Sequence, residues 1–260
     1  MAYETLEVTS DTRGVVSLRL NRPEARNAMS GQMIKELSDF AATLGKDART
    51  RAVVLHGAGK VFCAGGDLGW MKAQIEADRQ TRRVQARALA MMLIALNEIP
   101  VPLIGKLHGG AFGGGLGLAC ICDVVVAANG TKFGFTETRL GLIPATISPY
   151  VLARMGEGNA RRVFMSARVF DAFEAQDLGV VAKVVEADAL EDAVAQEVGP
   201  YLSAAPVAVG RAKALARSLG AKIDNAVIEE SIEHLVDIWE GTEAKAGIDA
   251  FLNKTKAPWA

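Results

Sequence analysis

Two glycine-rich turns carry the chemistry most legible in this chain: Cys63-Ala64-Gly65-Gly66-Asp67-Leu68, and Gly109-Gly110-Ala111-Phe112-Gly113-Gly114-Gly115-Leu116-Gly117. Each follows an apolar run that reads as a strand, 52–55 and 102–107, and each leads into a helical stretch. Glycine at such places lets the backbone approach a ligand closely and leaves N–H groups unpaired at a helix start. Two of these N–H groups aimed at one oxygen would form an oxyanion hole for the charge that develops on an ester or thioester carbonyl. No G-x-G-x-x-G pattern runs through residues 109–117, which argues against a dinucleotide loop. A carboxylate, Glu137, follows the strand-like Lys132-Phe133-Gly134-Phe135. In a partly apolar cleft its pKa would rise toward working pH, as a general base requires.

Alternating elements must position these groups. Leu6–Thr9 and Val15–Leu20 alternate in the strand manner around Asp11-Thr12-Arg13-Gly14, which predicts a hairpin. Ser30 is a fitting N-cap for an amphipathic helix through Met33, Leu37, Phe40 and Leu44. A long helix is expected from about Asp78 to Asn97, stopping near Pro100, and a further strand at 124–127. Strands alternating with helices predict a mainly parallel α/β arrangement. Beyond about Glu186 strand patterns vanish; Leu190, Val194, Val198 and Leu202, then Ile228, Ile232, Leu235 and Ile238, recur at helical spacing.

With 260 residues, 50% of them hydrophobic, the chain can bury a large core. A net charge of -1 gives no bulk attraction to nucleic acid or anionic lipid. Three cysteines without scaffold spacing point to a reducing compartment, and Cys120 and Cys122 read as buried thiols rather than zinc ligands. The N-terminal stretch has no signal or transit pattern and no apolar run reaches membrane-span length, so a cytoplasmic protein is expected.

Taken together, Asn21-Arg22-Pro23-Glu24-Ala25-Arg26-Asn27-Ala28-Met29, Ala64–Leu68, Gly109–Gly115 running on to Cys122-Asp123, Phe133–Glu137 and Phe251-Leu252-Asn253-Lys254 resemble the crotonase superfamily of enoyl-CoA hydratases and isomerases. The resemblance spans nearly the whole chain. It implies an α/β fold with a crotonase-like β-β-α spiral core over residues 1–190 and a C-terminal helical appendage, 191–260, that covers CoA and assists trimerisation. It implies an acyl-CoA thioester as substrate, no separate cofactor, no metal, and assembly as a homotrimer or hexamer. By the same resemblance Gly66 and Gly114 form the oxyanion hole and Glu137 handles the proton near Cα and Cβ. CoA and substrate would lie along Ala25, Arg26, Ala64, Gly65, Asp67, Leu68, Gly117, Phe251 and Lys254. Asp67 reads as a brace for its turn, His108 as a loop-positioning residue, and Trp70 and Met71 as acyl-pocket lining or its packing. His56 and His234 have no nucleophilic partner in view.

One position departs from the superfamily's hydratase pattern. Hydratases of the common type carry a second glutamate where this chain has Gly117, and one glutamate suffices for isomerase chemistry. A second resemblance points back to hydration: Ala111–Leu118, Glu137–Val151 and Ala167-Arg168-Val169-Phe170-Asp171 are similar to a bacterial branch assigned as methylglutaconyl-CoA hydratases, which also carries glycine there. A glutaconyl-type substrate would need a cation for its distal carboxylate; Lys72, Arg82, Arg83 and Arg139 are the candidates. The alternatives are an enoyl-CoA isomerase and a non-catalytic acyl-CoA binder. RNA binding, an activity of one eukaryotic relative of that branch, would have to use Arg79, Arg82, Arg83 and Arg87, and the near-neutral chain disfavours it.

Overall fold

The computed structural model describes residues 3–44 and 49–260; the first two residues of the N-terminal stretch that bears on targeting lie outside the described residues. The hairpin forms as expected: β1 (Leu6–Ser10) pairs antiparallel with β2 (Val15–Leu20), Leu6 opposite Leu20. Four parallel strands extend the sheet, β3 (Ala52–Gly57), β4 (Leu103–Leu107), β6 (Val124–Ala128) and β9 (Lys183–Val185), in the order β1-β2-β3-β4-β6-β9. A second sheet of three short strands, β5 (Gly110–Phe112), β7 (Lys132–Gly134) and β8 (Phe170–Asp171), stands beside it. The central strands are mostly buried on both faces, and β6 reads as a continuous apolar run, as parallel strands do.

Helix α1 (Gly31–Leu44) starts at Ser30, whose Oγ accepts from Met33 N–H at 3.2 Å, and buries Met33, Leu37, Phe40 and Leu44. It packs beside α3 (Arg79–Asn97), which Asp78 caps by accepting from Thr81 N–H. These two helices, the large sheet, α4 (Gly114–Cys120) and α5 (Ser148–Phe164) enclose the main core, centred on Leu18, Leu55, Phe62, Leu93, Phe133 and Phe135.

After the short α6 (Ala172–Asp177) and β9, no further strand forms among the described residues, as the loss of strand pattern predicts. Helix α7 (Leu190–Ser203) lays Leu190, Val194 and Val198 on Ala52, Ile104 and Val126 of the large sheet, so the first helix past residue 190 is part of the sheet's own packing. The segments that roof the site are α9 (Asn225–Glu240) and α10 (Thr242–Leu252), which follow α8 (Pro206–Leu219). They enclose a separate apolar cluster of Ile228, Ile232, Leu235, Trp239, Ala244 and Ile248 against Met71, Ala86 and Leu142. No described helix is long and apolar enough to cross a membrane.

Candidate active site

The two glycine turns meet because a short parallel ladder ties them together. Cys63 N–H donates to Gly110 O at 3.1 Å, Phe112 N–H to Cys63 O at 3.0 Å, and Phe62 N–H to His108 O at 3.0 Å. The segment after Asn27 runs along the other side, with Met29 N–H on Gly65 O at 2.8 Å and Asp67 N–H on Met29 O at 3.1 Å. Gly65, at φ +98, has Phe112 O 2.9 Å from where a Cβ would stand, so both the turn and the close approach require glycine. Gly113 takes φ 49 and ψ −120 at the N-cap of α4, a region closed to residues with side chains. That turn leaves Gly114 as the first residue of α4, where its N–H has no intrahelical acceptor. Among the described residues, neither Gly66 N–H nor Gly114 N–H is engaged by an acceptor. Both glycines line one cavity of about 990 Å³.

Glu137 reaches that cavity through the second sheet. The β5–β7 ladder, with Gly113 N–H on Gly134 O at 2.9 Å, sets the strand that ends three residues before it. Its Oε1 comes within 3.0 Å of a Cβ position at Gly113, so the carboxylate lies against the second glycine turn. The residue as a whole is half-buried, but Oε2 is shut off from solvent and has no hydrogen-bond partner. Burial pushes the carboxyl up to about 7, because desolvation disfavours the charged form. A carboxylate with one oxygen sealed from solvent and unpartnered is costly for folding and useful for proton transfer.

Of the positions the sequence singles out, Ala25, Arg26, Ala64, Gly65, Gly66, Leu68, Gly114, Glu137 and Phe251 all line this cavity, as do Trp70, Met71 and Arg139. Asp67 lies just behind the lining. Its Oδ1 accepts from Gly69 and Trp70 N–H as the N-cap of α2 (Leu68–Glu76), and its Oδ2 meets Arg22 at 2.9 Å; these bonds and Arg22 hold its carboxyl below the usual range against the opposing effect of burial, the largest single influence. His108 Nε2 contacts Gly59 O at 2.9 Å and fixes the loop before the second turn. Lys254 follows α10 in the left-handed region and is not among the lining residues, whereas Lys256 is. His56 sits in β3 against Ser17 Oγ at 2.8 Å, and burial pulls its pKa down to about 4.

Gly117 is buried beneath the cavity wall rather than in it, and Ile147 explains why. A Cβ at Gly117 would stand 2.8 Å from Ile147 Cβ and nearer still to its Cγ2. Ile147 itself is 2% exposed and lines the cavity, so an isoleucine fills the space next to the position where the common hydratase pattern has a glutamate. The sequence offers Ile147 only inside a quoted motif; its pairing with Gly117 requires α5 to fold onto α4. We expect Gly117→Glu alone to lower the melting temperature without raising turnover. Gly117→Glu with Ile147→Ala should recover part of that loss, because an added side chain at a filled site costs about 1 to 3 kcal/mol until room is made, while the buried carboxylate keeps its desolvation cost.

The proposed cation set divides. Arg139 lines the cavity; its guanidinium donates to Ala167 O at 2.8 Å and has no carboxylate partner among the described residues. Arg82 caps the end of α2 by donating to Gln74 O at 2.9 Å and Ile75 O at 3.1 Å, and Lys72 is exposed; neither is on the lining. Arg83 is spent on Glu229 and Glu233. The same is true of the basic stripe considered for RNA, Arg82 aside: Arg79 pairs with Glu233, Asp237 and Glu240, and Arg87 with Glu229, so α9 neutralises most of that face of α3.

Comparison with known proteins follows the same outline. Crotonyl-CoA hydratase of Syntrophomonas wolfei is 31% identical over 260 residues, covering 99% of this chain and 98% of the relative. Short-chain-enoyl-CoA hydratase of Clostridium acetobutylicum is 32% identical over 245 residues, covering 93% and 92%. A solved enoyl-CoA hydratase of Shewanella pealeana superposes with a TM-score of 0.81 at 33% identity, over 98% of this chain and 96% of that one. Residues 10–260 match the family described as enoyl-CoA hydratase/isomerase. A match over residues 10–260, with relatives of this family over nearly the full chain, means that the chain belongs to the enoyl-CoA hydratase/isomerase family.

Proposed function

We propose that the protein is a hydratase that adds water across the double bond of a 2-enoyl-CoA, using Glu137 as its one proton-transfer carboxylate. The observation that carries this reading is the solvent-shielded, unpartnered Oε2 of Glu137 beside two free backbone N–H donors in one cavity. Glu137 as carboxylate takes a proton from water, and the oxygen adds to Cβ. The π electrons pass to Cα and the thioester oxygen, where Gly66 and Gly114 N–H hold the enolate charge. The protonated Glu137 then delivers its proton to Cα, so one water is consumed and the carboxylate is regenerated. Similarity to relatives named as crotonyl-CoA and short-chain-enoyl-CoA hydratases supports the reaction class.

The finer reading is a branched or glutaconyl-type substrate such as 3-methylglutaconyl-CoA, handled in the cytoplasm by a trimer or hexamer. Arg139, a cavity-lining guanidinium free of ion pairs among the described residues, supports the carboxylated acyl group. Turnover of purified protein on 3-methylglutaconyl-CoA, crotonyl-CoA and a 3-enoyl-CoA tests both levels. Hydration of either 2-enoyl substrate supports the reaction. Double-bond migration without water uptake would make the protein an isomerase, with Ile147 in the second carboxylate's space as the reason. Arg139→Gln should reduce the preference for the carboxylated substrate about tenfold or more, as loss of a charge-assisted contact does; an unchanged preference would overturn the glutaconyl reading.

A further inference from the structure

A second cavity, of about 380 Å³, adjoins the first at Trp239 and is lined by Ile75, Arg82, Trp239, Glu240, Gly241, Thr242 and Lys245. Among the described lining residues, Trp239 alone belongs to both cavities. It projects from α9, is 6% exposed, and packs in the apolar cluster that roofs the site with Leu235, also on the main lining. The main lining near it is apolar; the adjoining chamber is charged. Arg82 is anchored there by the carbonyls of Gln74 and Ile75, and Lys245 has no ion-pair partner among the described residues. Glu240, the one carboxylate among the chamber's described lining residues, already meets Arg79 at 2.6 Å. The chamber's character is therefore cationic.

We propose that Trp239 is a specificity-determining residue that closes the acyl end of the substrate cavity and sets the longest chain the site accepts. This rests on the acyl-CoA reading of the main cavity. An acyl chain that grows past the indole has to enter a chamber bearing Arg82 and Lys245, where a methyl end is poorly matched and a carboxylate end is well matched. Each methylene that gains a buried apolar environment is worth about fourfold in affinity, so a barrier at one side chain shows as a break in the chain-length profile.

The test compares kcat/KM for crotonyl-CoA, 2-octenoyl-CoA and 2-decenoyl-CoA in wild type, Trp239→Phe and Trp239→Ala, with melting temperatures alongside. Dissociation constants of the matching saturated acyl-CoAs are measured by calorimetry. Removing the indole should raise the decenoyl-to-crotonyl ratio on the order of tenfold or more, with phenylalanine intermediate. A decenoyl substrate ending in a carboxylate should outperform the methyl-ended one in Trp239→Ala, and lose that advantage when Lys245→Gln is added. An unchanged ratio in a folded Trp239→Ala protein would overturn the proposal. If wild type hydrates none of the substrates, the hydratase reading fails by itself, and the chain-length dependence of the saturated-thioester affinities still decides whether Trp239 is the stop.

Discussion

Replacing Glu137 with glutamine should lower kcat for hydration by about a thousandfold or more, since a positioned acid–base group contributes on the order of 10²–10⁴ and here one carboxylate serves both proton transfers. The substitution keeps the shape of the side chain, so the dissociation constant of a saturated acyl-CoA should stay within a few-fold of wild type. Wild-type kcat/KM should rise with pH through about 7, where the free carboxyl gives up its proton, and Glu137→Gln should lack that limb. The sign of the stability effect is opposite. Because the folded pKa lies above the unfolded value, the proton-bound form favours the fold at low pH, and that contribution is lost as pH rises from about 4.5 through about 7. Glu137→Gln should therefore be more stable than wild type above pH 7, by up to about 3 kcal/mol, visible as a higher melting temperature in alkaline buffer. A glutamine variant that retains wild-type turnover would remove Glu137 from the mechanism.

The second large effect belongs to an atom no side chain supplies. Gly114 is the first residue of α4, the one helical position where proline is well tolerated, because the N–H it deletes has no helical partner. Gly114→Pro should reduce kcat by about 10²–10³, the cost of one oxyanion donor, while Gly114→Ala keeps the N–H. Both variants bring new atoms against Met29 Cε, the movable end of a flexible side chain, so alanine serves as the steric control. Equal losses in the two variants would assign the effect to Met29 packing rather than to the N–H. A large gap between them, with matching melting temperatures, would establish the donor.

The strand–turn–helix pattern around both glycine turns, the Ser30 and Asp78 caps and the helical C-terminal region were all legible from spacing, because hydrophobic period and capping chemistry are local properties. The two glycine turns themselves were legible for the same reason. Gly113 and Gly65 adopt backbone conformations closed to other residues, so their glycines are written into the chain. Glu137 stood out only through its motif; nothing local says that its Oε2 would be sealed and unpaired, since that depends on the strand before it pairing with the second glycine turn.

What tertiary structure alone decided is which distant side chains share a space. Ile147 beside Gly117, Trp239 between two cavities, Arg139 rather than Lys72 or Arg83 on the lining, and Lys256 rather than Lys254 are all set by helices packing across large sequence separations. The basic stripe of α3 looked available until α9 laid its glutamates along it. The sequence by itself determined the candidate reacting groups, because their backbone and chemistry are intrinsic to short segments. The walls around them, among them Ile147 beside Gly117 and Trp239 on two cavities, exist only after α5, α9 and α10 close over those segments, since a wall is a contact between residues far apart in the chain.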